Sequence, residues 1–322
     1  MSSPEKPLVV VPGDQPTQIG DSPQLDRLRQ RTRVVLHRDH PADATDSLAR
    51  VADADVLLNS RSHVCWPAES LERLPKLKMI TTCSIGTDMV DLEAARRLGI
   101  VVSNIPGKTA VVVAEHALGL TLAIAKRVAF QTAELKVGRW TRVDNVFLAG
   151  KTLGIVGTGC IGAQMARLGR AIGMDVIAWT FNPSEERAKS LGLRFVDFDE
   201  LLSAADVLSL HVKLTPDSHH LIGREEFQRM KPGSLLVNTA RGPVVDTAAL
   251  IDALNSGHLA GAGIDVFDTE PLPADHPILS CEQIVLTPHH ADHTPEGIEL
   301  LNEGAVDNIF EFLDGNPQNV VS

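Results

Sequence analysis

Short apolar runs recur along the first hundred positions, at 8–11, 34–36, 56–58, 79–82 and 101–102. Between them lie stretches with helical spacing of apolar residues, such as 23–31 and 91–98. A brief continuous apolar run fits a strand covered on both faces. Alternation of such runs with amphipathic helices predicts a parallel sheet sandwiched by helices. A second series starts near Thr152, with strand-like runs at 152–156, 175–179, 207–211, 234–238, 261–265 and 284–286. Helical runs at 161–172, 184–191 and 247–256 separate them. Six strands with intervening helices predict a doubly wound, dinucleotide-binding sheet.

Residues 109–138 join the two series in one long apolar run without proline. Glu115, His116, Lys126 and Arg127 divide it, which argues against a bilayer span and predicts a single long helix bridging two domains. The run 295–313 is also helical, with apolar residues at Ile298, Leu301, Ala305, Ile309 and Phe312, and is expected to fold back onto the first domain. The predicted division is 1–103 completed by 293–322 for one domain, and 104–292 for the other.

A chain of 322 residues with 43% hydrophobic content can fill two such cores. Its net charge of −11 speaks against a broad face for nucleic acid or anionic membrane. An anionic ligand would have to be held locally, by single arginines and backbone N–H groups. The N-terminus lacks a basic start followed by a long apolar stretch. Cys65, Cys83, Cys160 and Cys281 form no C-x-x-C pair, so reduced thiols and a cytoplasmic location are expected.

The segment LGIVGTGCIG places three glycines between a strand and a helix. Gly157 permits the tight turn, Gly159 lets backbone approach a pyrophosphate, and Gly162 lets the helix pack close to the sheet. Cys160 and Ile161 open the helix, whose first N–H groups and positive dipole end suit an anion. An acid usually ends the next strand and holds the adenosine ribose. Here Thr180 stands there, followed by Phe181, Asn182, Pro183 and Ser184, with Arg187 a turn further on. No carboxylate is left to repel a 2′-phosphate, so either NAD or NADP fits and NADP is expected to be tolerated or preferred.

Three distant residues read as one active site downstream of this fingerprint: Arg241 in VNTARGPVVD, Glu270 in GIDVFDTEPLP and His289 in LTPHHADHTPEG. They suggest an acid/base histidine, a carboxylate that holds it, and an arginine for an anionic substrate. His290 and His293 follow closely, but this is not a helical two-histidine metal motif and Pro288 disfavours a helix there, so no metal is expected.

Ordered matches over nearly the whole length make the chain resemble the D-isomer-specific 2-hydroxyacid dehydrogenases. They are SIGTDMVDLEAARRLGIVVSNIPG, VAEHALGLTLAIAKR, KTLGIVGTGCIG, HVKLTPDSHHLIG, MKPGSLLVNTARGPVVDTAALIDAL, AGAGIDVFDTEPLPADHPI and LTPHHADHT. The resemblance implies an α/β protein with two doubly wound parallel sheets, a flavodoxin-like substrate domain and a Rossmann dinucleotide domain. It implies that His289 is the general acid/base, Glu270 its orienting carboxylate, and Arg241 the grip on the substrate. Ile85 and Gly86, with Arg61, would bind substrate. Thr109, Val113, Val212, Thr239, Ala240 and Asp265 would line the cofactor cleft, Asp265 holding the nicotinamide carboxamide. The expected reaction is hydride transfer between NAD or NADP and a small 2-keto or D-2-hydroxy acid such as glyoxylate or hydroxypyruvate, in a homodimer.

Two departures and two alternatives belong with this reading. Asp292 and His293 stand where the family has small residues. Aromatics are 4% and tyrosine is missing, so a large aromatic-lined pocket is not expected, Trp66 and Trp140 being the candidates for an exception. The same fold also serves formate or phosphite oxidation, although formate enzymes carry glutamine where Glu270 stands. A dinucleotide-sensing scaffold or corepressor is the alternative from another class.

Overall fold

The computed structural model describes residues 5–60 and 64–322. It divides into two compact units, one running up to Thr109 and resuming at His293–Ser322, the other being Ala110–Asp292.

The first unit runs β1 (Leu8–Val11), α1 (Pro23–Arg31), β2 (Arg33–Leu36), α2 (Ala44–Val51), β3 (Val56–Asn59), α3 (Ala68–Leu71), β4 (Met79–Thr82), α4 (Leu92–Arg97) and β5 (Val101–Ser103). Among the described residues its sheet has five parallel strands in the order β2-β1-β3-β4-β5, the flavodoxin-like arrangement. Successive side chains on a strand point to opposite faces. Val9, Val11, Val56, Leu58 and Met79 therefore build one core, and Val10, Leu57, Ile80 and Val102 build the other. Trp66 lies in the second of these cores, 1% exposed, with its indole N–H on Asn59 Oδ1, so it lines no open pocket.

The second unit continues with α5 (Ala110–Ala125), α6 (Val128–Lys136), β6 (Thr152–Val156), α7 (Cys160–Ala171), β7 (Asp175–Trp179), α8 (Glu185–Leu191), β8 (Arg194–Phe195), α9 (Phe198–Ala204), β9 (Val207–Leu210), α10 (Arg224–Arg229), β10 (Ser234–Asn238), α11 (Thr247–Asn255), β11 (Leu259–Ile264) and β12 (Ile284–Leu286). Seven parallel strands are ordered β12-β11-β10-β9-β6-β7-β8 among the described residues. This is the Rossmann order, reversing direction between β6 and β9. The sequence pattern predicts six strands. The seventh, β8, is two residues long and too short to show a period. The last helix, α12 (Pro295–Leu313), packs on α1 and β4 of the first unit through Leu301, Ala305, Val306 and Ile309.

Most helices start on a side chain that accepts a first-turn N–H, among them Ser22, Asp91, Asp246 and Thr294. The single long helix expected over 109–138 is instead two, and α5 belongs wholly to the second unit. The break is at Arg127, whose φ is 50°. The Ala125 carbonyl accepts from the Val146 N–H at 2.8 Å, and Lys126 Nζ donates to the Val146 carbonyl at 2.7 Å. Tertiary bonds thus replace the helical ladder, a competition that apolar periodicity does not register.

Candidate active site

Several loops leave the C-terminal edge of the second sheet, where ligands bind in sheets of this order. The first follows β6. Gly157 has φ +93°, and a Cβ there would fall 2.7 Å from the His211 carbonyl and 2.8 Å from Val212 Cγ1. The end of β9 is therefore pressed against the fingerprint at the point of strand reversal. A Cβ on Gly162 would overlap the Gly157 carbonyl, so α7 starts directly on the turn. On Gly159 it would meet nothing within 4 Å, which leaves its backbone facing open space. Cys160, the exposed first residue of α7, and half-buried Ile161 follow.

Thr158 Oγ1 beside this turn and Thr239 Oγ1 after β10 are buried hydroxyls with no protein partner. Buried polar groups are nearly always satisfied, so both call for an acceptor from outside the chain. Backbone laid open at Gly159, the free N–H groups at the start of α7 and two orphaned hydroxyls fit the phosphate and ribose oxygens of a dinucleotide. Thr180, after β7, lines a cavity of about 480 Å³ with Trp179, Pro183, Phe198, Asp197 and Glu200.

The second loop carries Arg241. Asn238, at the end of β10, accepts from the Ala240 N–H at 3.0 Å and donates to the Arg241 carbonyl at 2.9 Å, folding the chain tightly. Arg241 Nη1 donates to the Ala240 carbonyl at 2.7 Å. A Cβ on Gly242 would collide with the Phe267 backbone, so this turn abuts the loop that carries Glu270.

Glu270 Oε1 accepts from the Phe267 N–H at 2.8 Å, and Oε2 lies 2.6 Å from His289 Nδ1. Both side chains are partly open, Glu270 at 35% and His289 at 46%. The His289 backbone is left-handed, with φ 48°, and its N–H donates to the Asp265 carbonyl at 2.7 Å. The hydrogen bond from Glu270 raises the imidazole pKa above its ordinary value, against the opposing pull of burial and of the Arg241 charge. Burial pushes the Glu270 carboxyl upward, but the His289 bond, the Phe267 N–H and the charges of His289 and Arg241 together hold it below its ordinary range. The Arg241 charge acts on both members of the pair, and the Gly242 turn beside Arg241 abuts the loop that carries Glu270.

Asp265, at the end of β11, is 1% exposed. Its Oδ1 accepts from Thr287 Oγ1 at 2.6 Å and from the His290 N–H at 3.0 Å, and Oδ2 accepts from the Ala291 N–H at 3.1 Å. It ties down the His289 loop from both sides. Val113 on α5 and Ala240 are buried, and Val212 is half-buried.

Thr109, Ile85 and Gly86 belong to the first unit. The loop after β4 turns its carbonyls inward: Ser84 O accepts from the Ile105 N–H, Ile85 O from Asn104 Nδ2 and Gly86 O from Ser84 Oγ. Thr109 is fully buried and its hydroxyl lacks a protein partner. Arg61 lies outside the described residues. Two residues of the site were not read from the sequence, His116 of α5 and Thr287. The His116 ring nitrogen Nε2 is 3.0 Å from Thr287 Oγ1 and 3.5 Å from Asp265 Oδ1. A histidine inside an apolar helix was the only signal, and it equally fits a satisfied core group.

Residues 118–291 match the family model described as "D-isomer specific 2-hydroxyacid dehydrogenase, NAD binding domain". A glyoxylate reductase of Korarchaeum cryptofilum is 36% identical over 306 residues, covering 92% of each chain. A hydroxypyruvate reductase of Blautia hydrogenotrophica is 34% identical over 299 residues, covering 90% of this chain and 91% of its own. Among solved structures, D-lactate dehydrogenase from Aquifex aeolicus, complexed with NAD and lactic acid, is 30% identical with a TM-score of 0.82 and 96% of each chain covered.

Proposed function

Because the chain belongs to the D-isomer specific 2-hydroxyacid dehydrogenase family, we propose that Glu270, His289 and Arg241 form the active site of a reductase of small 2-keto acids, of the glyoxylate and hydroxypyruvate class. Membership makes it an oxidoreductase that interconverts 2-keto and D-2-hydroxy acids with a nicotinamide dinucleotide. The 2.6 Å bond between His289 Nδ1 and Glu270 carries the site assignment. It fixes the ring so that Nδ1 faces the carboxylate and Nε2 is left for the substrate. It also favours the imidazolium.

When bound, a reduced nicotinamide would supply the hydride for the keto carbon. His289 gives its Nε2 proton to the keto oxygen as that oxygen gains charge, and takes it back in the oxidative direction. Glu270 stays ionised and neutralises the ring. Arg241 grips the substrate carboxylate with its planar fork. In the first unit, the N–H groups of Ile85 and Gly86 are assigned to an anionic ligand, since the carbonyls of their loop are engaged elsewhere. Gly157, Gly159, Cys160, Ile161 and Gly162 cradle the cofactor phosphates, and Thr239, Ala240, Val212 and Val113 face the remainder. Mixing the protein with NADH or NADPH and a panel of 2-keto acids tests this by absorbance. Tight cofactor binding without turnover of any acid would favour the sensing scaffold instead.

For the cofactor we infer that NADP is accepted. Residues 180–184 hold no carboxylate, and the two acids beside Thr180 are engaged, Asp197 with the Glu200 N–H at 2.7 Å and Glu200 with Arg194 at 2.6 Å. In the same panel, kcat/KM with NADPH is expected to equal or exceed that with NADH. A strong NADH preference would overturn this.

The active form is inferred to be a homodimer. Helix α6 buries none of its residues, and Val128, Leu135, Val137, Trp140 and Phe147 on and after it are 51%, 54%, 61%, 78% and 73% exposed. Large apolar side chains left exposed along one segment point to an interface. Light scattering should give twice the chain mass, and a monomer mass at micromolar concentration would refute it.

A further inference from the structure

His116 stands on α5 with its side chain 22% exposed and Nε2 directed at the clamp around Asp265. The protons there can be assigned. A threonine hydroxyl has one proton to give. Thr287 gives it to Asp265 Oδ1 at 2.6 Å. Burial works against the Asp265 charge, but bonds from His116, Thr287 and the His290 N–H hold the carboxyl below its ordinary range, so it only accepts. The Thr287 oxygen therefore meets His116 with a lone pair, and the nitrogen 3.0 Å away must be the one that carries hydrogen. His116 is the Nε2–H tautomer or the imidazolium.

This donor is the outer end of a continuous chain. His116 fixes Thr287, Thr287 fixes Asp265, and Asp265 holds the N–H groups of His290 and Ala291. His289 lies between Thr287 and His290, in a left-handed conformation that a non-glycine residue keeps only where its surroundings hold it. We propose that His116 is a positioning residue for His289, anchoring from helix α5 the loop that aims the proton-transferring ring. The inference rests on the role given to His289 above.

His116→Leu is expected to lower kcat for keto-acid reduction about tenfold, since sub-ångström misplacement of a reacting group already costs rate on this scale. Cofactor Kd, read by NADPH fluorescence, should change less than kcat, because the phosphate-binding turn at 157–162 lies outside the relay through Thr287 and Asp265. His116→Gln keeps an N–H donor at similar reach and should recover most of the loss. Thr287→Val cuts the same chain one link in, and the double variant should be no slower than Thr287→Val alone. Parent kcat in His116→Leu, failure of glutamine to recover it, or additive losses in the double variant would each overturn the proposal. If the unmodified protein turns over no 2-keto acid, the reading of the site fails first. The anchor is then judged by ¹⁵N-histidine NMR, where hydrogen on Nε2 of His116 supports it and an Nδ1–H tautomer sinks it.

Discussion

His289→Gln is expected to lower kcat for keto-acid reduction by ~10³-fold, within the 10²–10⁴ range of general acid/base catalysis, while leaving cofactor affinity nearly unchanged. Glutamine can donate a hydrogen bond but cannot pass a proton at neutral pH. His290→Gln should cost far less. His290 holds the loop through its backbone N–H, bonded to Asp265 at 3.0 Å, which glutamine retains; glutamine loses the ring that stands edge-on to His116 at 6.1 Å. Steady-state reduction rates and a fluorescence titration with NADPH separate the two variants. If His290→Gln proves the more damaging, the general acid has been assigned to the wrong ring.

The unmodified enzyme should show the matching pH dependence. Reduction consumes the imidazolium, and Glu270 holds the His289 pKa above its ordinary 6.5. The reductive kcat/KM is therefore flat on the acid side and falls as pH rises through that elevated value. Oxidation needs the neutral ring and runs the other way. His289→Gln should abolish this limb along with the rate. The same shifts bear on stability. His289, raised on folding, contributes fully below its unfolded value of 6.5, and that contribution is lost as pH rises through the folded pKa. Glu270, depressed on folding, contributes above its unfolded value of 4.5, and loses it as pH falls through the folded pKa. The pair is thus intact between the lowered carboxyl and the raised imidazole.

Much of this molecule is legible in its amino acids, for reasons that differ by element. Strands β3, β9 and β10 are buried throughout, so VLLN, VLSL and SLLVN stand out as runs. The fingerprint is legible because Gly157 and Gly162 sit where a side chain has no room. Arg241, Glu270 and His289 came from ordered motifs, and no periodicity would have joined residues that far apart. What stayed hidden was set by contacts at a distance. The Arg127 break depends on Val146, some twenty residues away, and β8 exists only because β7 offers it an edge. His116 shows no role in the sequence beyond interrupting an apolar run, because its meaning depends on Thr287, which a loop far along the chain brings to α5. Asp265 was read for a cofactor contact, yet its oxygens also bind the loop backbone, a duty invisible without the fold.

Arg241→Lys should reduce kcat/KM by ~100-fold, a loss of about 2.7 kcal/mol in transition-state binding, mostly through a higher KM for the keto acid. Lysine keeps the positive charge but offers a compact ammonium in place of a planar fork, so it cannot make two parallel bonds to a carboxylate. The charge itself has a second effect that tells the variants apart. Arg241 lowers the His289 pKa, working against Glu270. Lysine preserves that field, so the alkaline limb of reduction should stay where it is while KM rises. Arg241→Ala removes fork and field together: KM should rise further and the limb should move to higher pH. Initial rates over a pH series, with the acid varied at saturating cofactor, give both quantities. A lysine variant within about threefold of the parent would mean that the guanidinium serves only as a charge, and its bidentate role would have to be withdrawn.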